Sequence, residues 1–230
     1  MPGVLDRISK VALDLLFPPL CAVCGRAGAM VCESCADVLP RADGARCPVC
    51  WMPSRYGTCA HCQEAPPAFA SIRAGFAMEG GVRLLAHRLK YDGMTALAEP
   101  MAALLTQRLD LPAADIVVPV PLHRSRERSR GYNQASLLAK ALATHAGLPF
   151  EPGAARRVRA TAPLAKTMRR EERRAIVERA FAAREARVEG RRVVLVDDVV
   201  TTGATLDACA AALRQAGAME VRCVTWARAD

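Results

Sequence analysis

Eight of the ten cysteines in this chain form four C-x-x-C pairs: Cys21/Cys24, Cys32/Cys35, Cys47/Cys50 and Cys59/Cys62. The pairs fall within 42 residues and are separated by seven, eleven and eight residues. One C-x-x-C also suits a redox motif, but four so close together point to two tetrahedral zinc sites of four thiolates each. The two-residue gap lets both thiolates of a tight turn reach one ion, and Gly25 suits the left-handed residue of such a turn. Short loops favour sequential pairing: Cys21, Cys24, Cys32 and Cys35 on one Zn2+, and Cys47, Cys50, Cys59 and Cys62 on the other. Interleaved pairing is the alternative. This stretch has too few large apolar residues for a core, and structural zinc supplies roughly 10–16 kcal/mol in small finger peptides. Four thiolates close each coordination shell, which makes the zinc structural and leaves His61, between two ligands, a bystander.

Disulfides are the rival chemistry, and the N-terminus argues against the oxidising compartment they need. Its basic-then-apolar order is interrupted by Asp14 and stops at Pro18-Pro19, without a small-residue cleavage site. Val4, Leu5, Ile8, Val11, Ala12, Leu15 and Leu16 fall at helical spacing, so an amphipathic docking helix is expected. No apolar run reaches the length of a membrane span, and a cytoplasmic protein is expected. Cys209 and Cys223 read as core thiols.

After Pro66-Pro67 the metal pattern gives way to α/β periodicity, which divides the chain into residues 1–66 and 67–230. Val82, Leu85, Ala86 and Leu89 share one helical face; a second helix runs through Leu97, Met101, Leu104 and Leu105. A short strand is expected from Asp115 to Val120, then a helix through Leu137, Leu138, Ala141 and Leu142. Residues 153 to 192 are charged and poor in large apolar residues until Phe181, the pattern of a functional lid or a disordered segment. A buried strand, Val193 to Val196, a helix from Gly203 to Ala216 capped by Gly217, and a strand from Glu220 to Trp226 complete the chain. Such alternation predicts an α/β fold, a parallel sheet with helices on both sides.

The stretch "VVLVDDVVTTGAT", Val193 to Thr205, carries the clearest chemistry. Ligands of open α/β sheets bind at strand carboxyl ends and helix N-termini. Asp197 and Asp198 suit the 2′- and 3′-hydroxyls of a ribose. In the run Thr201-Thr202-Gly203-Ala204-Thr205, the backbone N–H groups and the threonine hydroxyls suit a 5′-phosphate, and Gly203 allows the backbone to come close. A Walker B aspartate would need G-x-x-x-x-G-K-[ST], and a dinucleotide site G-x-G-x-x-G; neither occurs.

Charge is uneven. The net charge is +9, yet residues 123 to 192 hold 18 Lys and Arg against 7 Asp and Glu. That block suits phosphate-rich partners. Single-strand binders usually add stacking aromatics, and only 4% of this chain is aromatic. Tyr132, Trp51, Tyr56 and His61 are the stacking candidates, the last three fitting better as packing around the second zinc.

The same thirteen residues resemble the phosphoribosyl-pyrophosphate (PRPP) signature of type I phosphoribosyltransferases. The series "FPPLCAVC", "LKYDG", "VPVPLHRSRERSRGYNQA" and "VVLVDDVVTTGAT", behind a double zinc ribbon, resembles the ComF family over nearly the whole chain. The resemblance implies a parallel-sheet phosphoribosyltransferase-like domain and a link to natural competence and single-stranded DNA. Asp197 and Asp198 would then hold ribose and help place Mg2+, and Thr201 to Thr205 the 5′-phosphate. Val120-Pro121-Leu122-His123-Arg124 would form the pyrophosphate loop, with Arg124 a catalytic cation. "RGYNQ", with Arg130, Asn133 and Gln134, is a family signature without an assigned role. A T-x-x-Q element expected in the lid is absent after Thr161. Two functions stay open: Mg2+-dependent phosphoribosyl transfer to an unidentified acceptor, or a non-catalytic DNA-binding competence accessory that keeps the PRPP fold as scaffold or regulator.

Overall fold

The computed structural model describes residues 18–159 and 180–229. The expected helix at 4–16 and the segment 160–179, with Thr161, Arg169 and Arg170, lie outside them. In chain order the strands are β1 (Ser71–Ala77), β2 (Ile116–Pro119), β3 (Ala155–Arg157), β4 (Phe181–Ala183), β5 (Arg192–Val200) and β6 (Glu220–Arg228). The helices are α1 (Glu33–Asp37), α2 (Ala60–Glu64), α3 (Gly80–Tyr91), α4 (Ala98–Arg108), α5 (Arg124–Arg130), α6 (Gln134–Ala146), α7 (Glu185–Val188) and α8 (Ala204–Gln215).

Four parallel strands make the main sheet, in the order β1-β6-β5-β2. Its middle is apolar on both faces because both are covered. Val193 and Leu195 pack toward α8, whereas Val194 and Val196 pack toward α3, α4 and α6. The expected face of α3, Val82, Leu85, Ala86 and Leu89, is the buried one. Gly75 in β1 has a packing reason: a Cβ there would stand 2.6 Å from Leu105 of α4. Within the charged region read as lid or disorder, β3 and β4 form an antiparallel pair and α7 follows. Strand β5 also runs beyond the expected Val196, carrying both aspartates inside it.

The eight thiols gather as the sequential pairing predicts: Cys21, Cys24, Cys32 and Cys35 in one group, Cys47, Cys50, Cys59 and Cys62 in the other. Sulfurs around one zinc at ~2.3 Å lie about 3.8 Å apart. Cys24 and Cys32 are 3.7 Å apart, and Cys50 and Cys59 are 3.6 Å apart. The backbone adds to the fit. Burial works to raise the Cys21 thiol, but N–H groups of Cys32, Cys24 and Val23 hold it down at about 6. Cys47 is likewise lowered to about 6, by N–H groups of Cys50, Cys59 and Val49 acting against burial. Donors aimed at sulfur favour thiolate, the form zinc binds.

The ribbons also cover the outer edge of β1. Ile72 N donates to Val49 O at 2.7 Å, Ala77 N to Pro40 O at 2.9 Å, and Arg73 to Pro48 O at 2.8 Å. An uncovered edge would expose unpaired backbone groups to other chains. A second tie comes from Arg228, 2% exposed at the end of β6. It donates to Cys50 O at 2.9 Å and to Thr201 O at 2.8 Å, and touches Met52 Sδ. One guanidinium thereby joins the second zinc knuckle to the turn before α8.

Two outcomes follow. Chelation of the purified protein should release two zinc ions per chain and unfold residues 20 to 65 while the sheet keeps its circular dichroism. Zinc well below two per chain by elemental analysis, with disulfides present, would overturn this. Arg228→Met leaves the buried Cys50 carbonyl without its donor, at about 1–3 kcal/mol, while the part-buried Thr201 carbonyl can turn to water. Urea denaturation should show a loss of about 1–3 kcal/mol; Arg228→Lys, without the planar fork, should recover only part of it.

Candidate functional site

The site forms because β2 stops before β5 does. The last β2–β5 pair is Pro119 with Val196, and Val120 N then closes on Val196 O at 2.8 Å. Beyond that point β5 continues beside β6 through Val200. The β2 side of Asp197 to Val200 therefore borders the loop leading to His123 and Arg124, at the carboxyl end of the sheet.

Adjacent residues of a strand point to opposite faces. Asp198 turns toward α3, where its Oδ2 lies 2.6 Å from Lys90 Nζ. It is 4% exposed, so it is a buried, paired carboxylate rather than a solvent-facing one. Burial opposes the charge of Lys90, but Asp198 outweighs it and raises the ammonium's pKa. Asp197 turns toward α8 and accepts the Asp198 N–H at 2.9 Å. Burial first, and the Asp198 charge second, hold its carboxyl well above the usual range. Arg157 of β3 is close enough to interact electrostatically with Asp197.

The helix expected from Gly203 begins one residue later, and Gly203 is its N-cap, in the left-handed conformation at φ 82°. A Cβ there would also lie 3.3 Å from Ile72. Thr202 Oγ1 accepts the Ala204 N–H at 3.4 Å, and Thr201 is exposed. Asp207, in the first turn of α8, accepts the Ala68 N–H at 2.7 Å. It holds the turn to the segment after the ribbon, while Arg228 holds the turn to the second ribbon itself. Between them lies a cavity of ≈ 270 Å³ lined by His61, Glu64, Phe69, Thr202, Gly203 and Asp207. The ribbon is a wall of the site.

His123 and Arg124 border a separate cavity of ≈ 510 Å³ with Arg156, Arg157 and Arg184. His123 caps α5, its Nδ1 accepting from Ser125 N at 3.3 Å. Arg157 lines this cavity and interacts with Asp197, so it links the cationic loop to the carboxylates. Sequence reasoning missed Lys90, Arg157 and Arg228. Lys90 had a signal, since it sits in "LKYDG" one turn after Ala86 on the edge of the apolar face. Of the stacking candidates, Trp51 packs against the cluster that holds Cys47, Cys50 and Cys62, and its ring also lies 4.5 Å from the Arg73 guanidinium. Tyr56 is 93% exposed, so it does not pack around the zinc; a ribbon this thin has no second layer to bury it.

Comparison with known proteins agrees with this architecture. A phosphoribosyl transferase domain model matches residues 93–229, and a double zinc ribbon domain model matches residues 12–65. A DNA utilization protein YhgH of Salmonella typhi is 33% identical over 90% of this chain and 96% of that protein. Competence protein F of Haemophilus influenzae is 32% identical over 74% of this chain and 78% of its own. Among solved structures, an allosteric regulatory enzyme of purine biosynthesis overlays 61% of this chain and 30% of its own, at 24% identity and a TM-score of 0.42. No helix of the described residues is long and apolar enough to cross a membrane. A double zinc ribbon joined to a phosphoribosyl transferase domain, with relatives of this similarity, means that the chain belongs to the ComF family.

Proposed function

We propose that this protein binds PRPP or a related ribose 5-phosphate with Mg2+ at the end of β5, and that it serves the handling of single-stranded DNA in the cytoplasm. The observation that carries the first part is the continuous run from Asp197 and Asp198 to the left-handed Gly203 that opens α8. Thr201, Thr202 and Thr205 with the first N–H groups of α8 would take the 5′-phosphate, and Ala204 keeps the approach open. The two carboxylates, reaching from opposite faces of the strand, would accept ribose hydroxyls and help place Mg2+. The cation supplies charge neutralisation for a pyrophosphate. On the protein side, His123 and Arg124 would hold that group, with Arg157 between it and Asp197.

Phosphoribosyl transfer would need Arg124 and its neighbours to stabilise charge on the departing pyrophosphate and the site to exclude water. The second part of the reading draws on the names of the relatives, DNA utilization protein and competence protein, and on the basic block from His123 to Arg192. With these come competence or DNA-processing proteins as partners. If transfer is absent, the ribose-phosphate site is a scaffold or regulator of DNA handling.

Calorimetric titration with PRPP, with and without Mg2+, tests the first part, and binding should require the metal. Asp197→Asn/Asp198→Asn should weaken it at least tenfold, since each charged hydrogen bond contributes roughly 1.5–3 kcal/mol. Unchanged affinity in a folded double variant would show the turn to be misread. Asp198→Asn alone should also lower stability, because it strands Lys90, 24% exposed, without its counter-charge.

A further inference from the structure

The ammonium that pairs with Asp198 also faces a groove outside the ribose-phosphate turn. This groove has a volume of ≈ 780 Å³ and is lined by Lys90 and Tyr91 of α3, by Arg126, Ser129 and Arg130 of α5, and by Tyr132. Two of the chain's three tyrosines stand here beside three cations, although only 4% of the residues are aromatic. Among the described residues no carboxylate lines the groove.

The groups are held in place. Tyr132 Oη donates to Leu89 O at 2.7 Å, tying the α5–α6 turn to the end of α3. Arg130 donates to Gln134 Oε1 at 2.5 Å and lies 5.2 Å over the Tyr91 ring. His87 packs against the same ring at 4.8 Å. An amide and an aromatic ring orient Arg130 without cancelling its charge. A guanidinium layered on a ring is a surface on which nucleobases stack, and cations and hydroxyls alongside suit the attached phosphates. Tyr91 is 64% exposed, so its ring stands at the rim instead of enclosing a pocket. That suits a strand laid across the groove better than a mononucleotide sealed within it.

We propose that the groove between α3 and α5 binds single-stranded DNA, with phosphates on Arg126 and Arg130 and a base against the Tyr91–Arg130 layer. The inference rests on the DNA-handling part of the reading above, and Lys90, paired with Asp198, joins the groove to the ribose-phosphate site. It gives "LKYDG" and "RGYNQ" a common purpose and places part of the contact, Lys90 and Tyr91, outside the basic block.

Fluorescence anisotropy of the zinc-loaded full chain with a short labelled oligothymidylate tests it. Arg126→Ser/Arg130→Ser should flatten the logarithmic salt dependence by about 1.4, at ~0.7 per phosphate contact on a single strand. Tyr91→Ala should weaken binding about fivefold or more at every salt concentration. Wild type that binds no strand would overturn the DNA-handling reading and the groove with it. Binding that survives all three substitutions would overturn the groove alone. Photocrosslinking of an iodouracil oligonucleotide to the wild type avoids any folding defect of the variants. Attachment at Tyr91 or Tyr132 is expected, and attachment confined to the ribbons would reject the proposal. Inorganic pyrophosphate offers the same phosphate chemistry from another source. Displacement only at great excess supports strand binding, whereas displacement at concentrations equal to the oligonucleotide's assigns the groove to a free phosphate.

Discussion

A single buried guanidinium decides how the two halves of this molecule behave as one. Arg228 has no place in an apolar interior unless its donors are used, and an uncompensated buried charge costs several kcal/mol. Its acceptors come from distant parts of the chain: the Cys50 carbonyl, 178 residues away in sequence, and the Thr201 carbonyl. The second zinc knuckle and the turn before α8 therefore share one side chain, and shifting either removes one of its acceptors. The Asp207–Ala68 hydrogen bond holds the same turn to the segment that follows the ribbon.

The electrostatics of the carboxylate pair follow from strand geometry. The two aspartates point to opposite faces yet still repel, and Lys90, paired with Asp198 at 2.6 Å, offsets charge on both, with Arg157 acting on Asp197 from the other side. Their environments nevertheless differ. Asp198 has its ammonium at 2.6 Å, whereas burial and the charge of Asp198 push the Asp197 carboxyl upward. A ligand that brings a cation changes that balance chiefly at Asp197. The early end of β2 exposes this pair to the neighbouring loop, so a four-residue strand is as much part of the site as the charges are.

Much of this was legible because the relevant signals are periodic or local. The thiol spacing predicts the two groups, the apolar face of α3 predicts its burial, and the β5–turn–α8 run predicts the helix that follows the aspartates. Strand β1, "SIRAGFA", alternates Ile72, Ala74 and Phe76 with Ser71, Arg73 and Gly75, a period of two that is short and weakened by its small residues. Its ladder with β6 and the ribbon on its other edge complete it, and both are tertiary. Helix α5, "RSRERSR", lacks an apolar face and buries no residue, so hydrophobic periodicity cannot find it. Arg228 owes its role to partners far away in sequence that no local pattern reveals, and the motif around Lys90 marks its place on the helix but not its partner Asp198.

Helix α5 shows what the charge count alone conceals. Its four arginines alternate along the sequence at 124, 126, 128 and 130. At 3.6 residues per turn, residues four apart share a side, so Arg124 and Arg128 fall on one flank and Arg126 and Arg130 on the other. The structure follows this division. Arg124 and Arg128 border one hollow with Glu127, and Arg126 and Arg130 line the tyrosine groove. A solvated arginine-rich surface needs no such sorting. A helix with no apolar side is instead held by its ends, through the His123 cap and the left-handed Gly131, and is left free to show a different pair of cations to each neighbouring hollow.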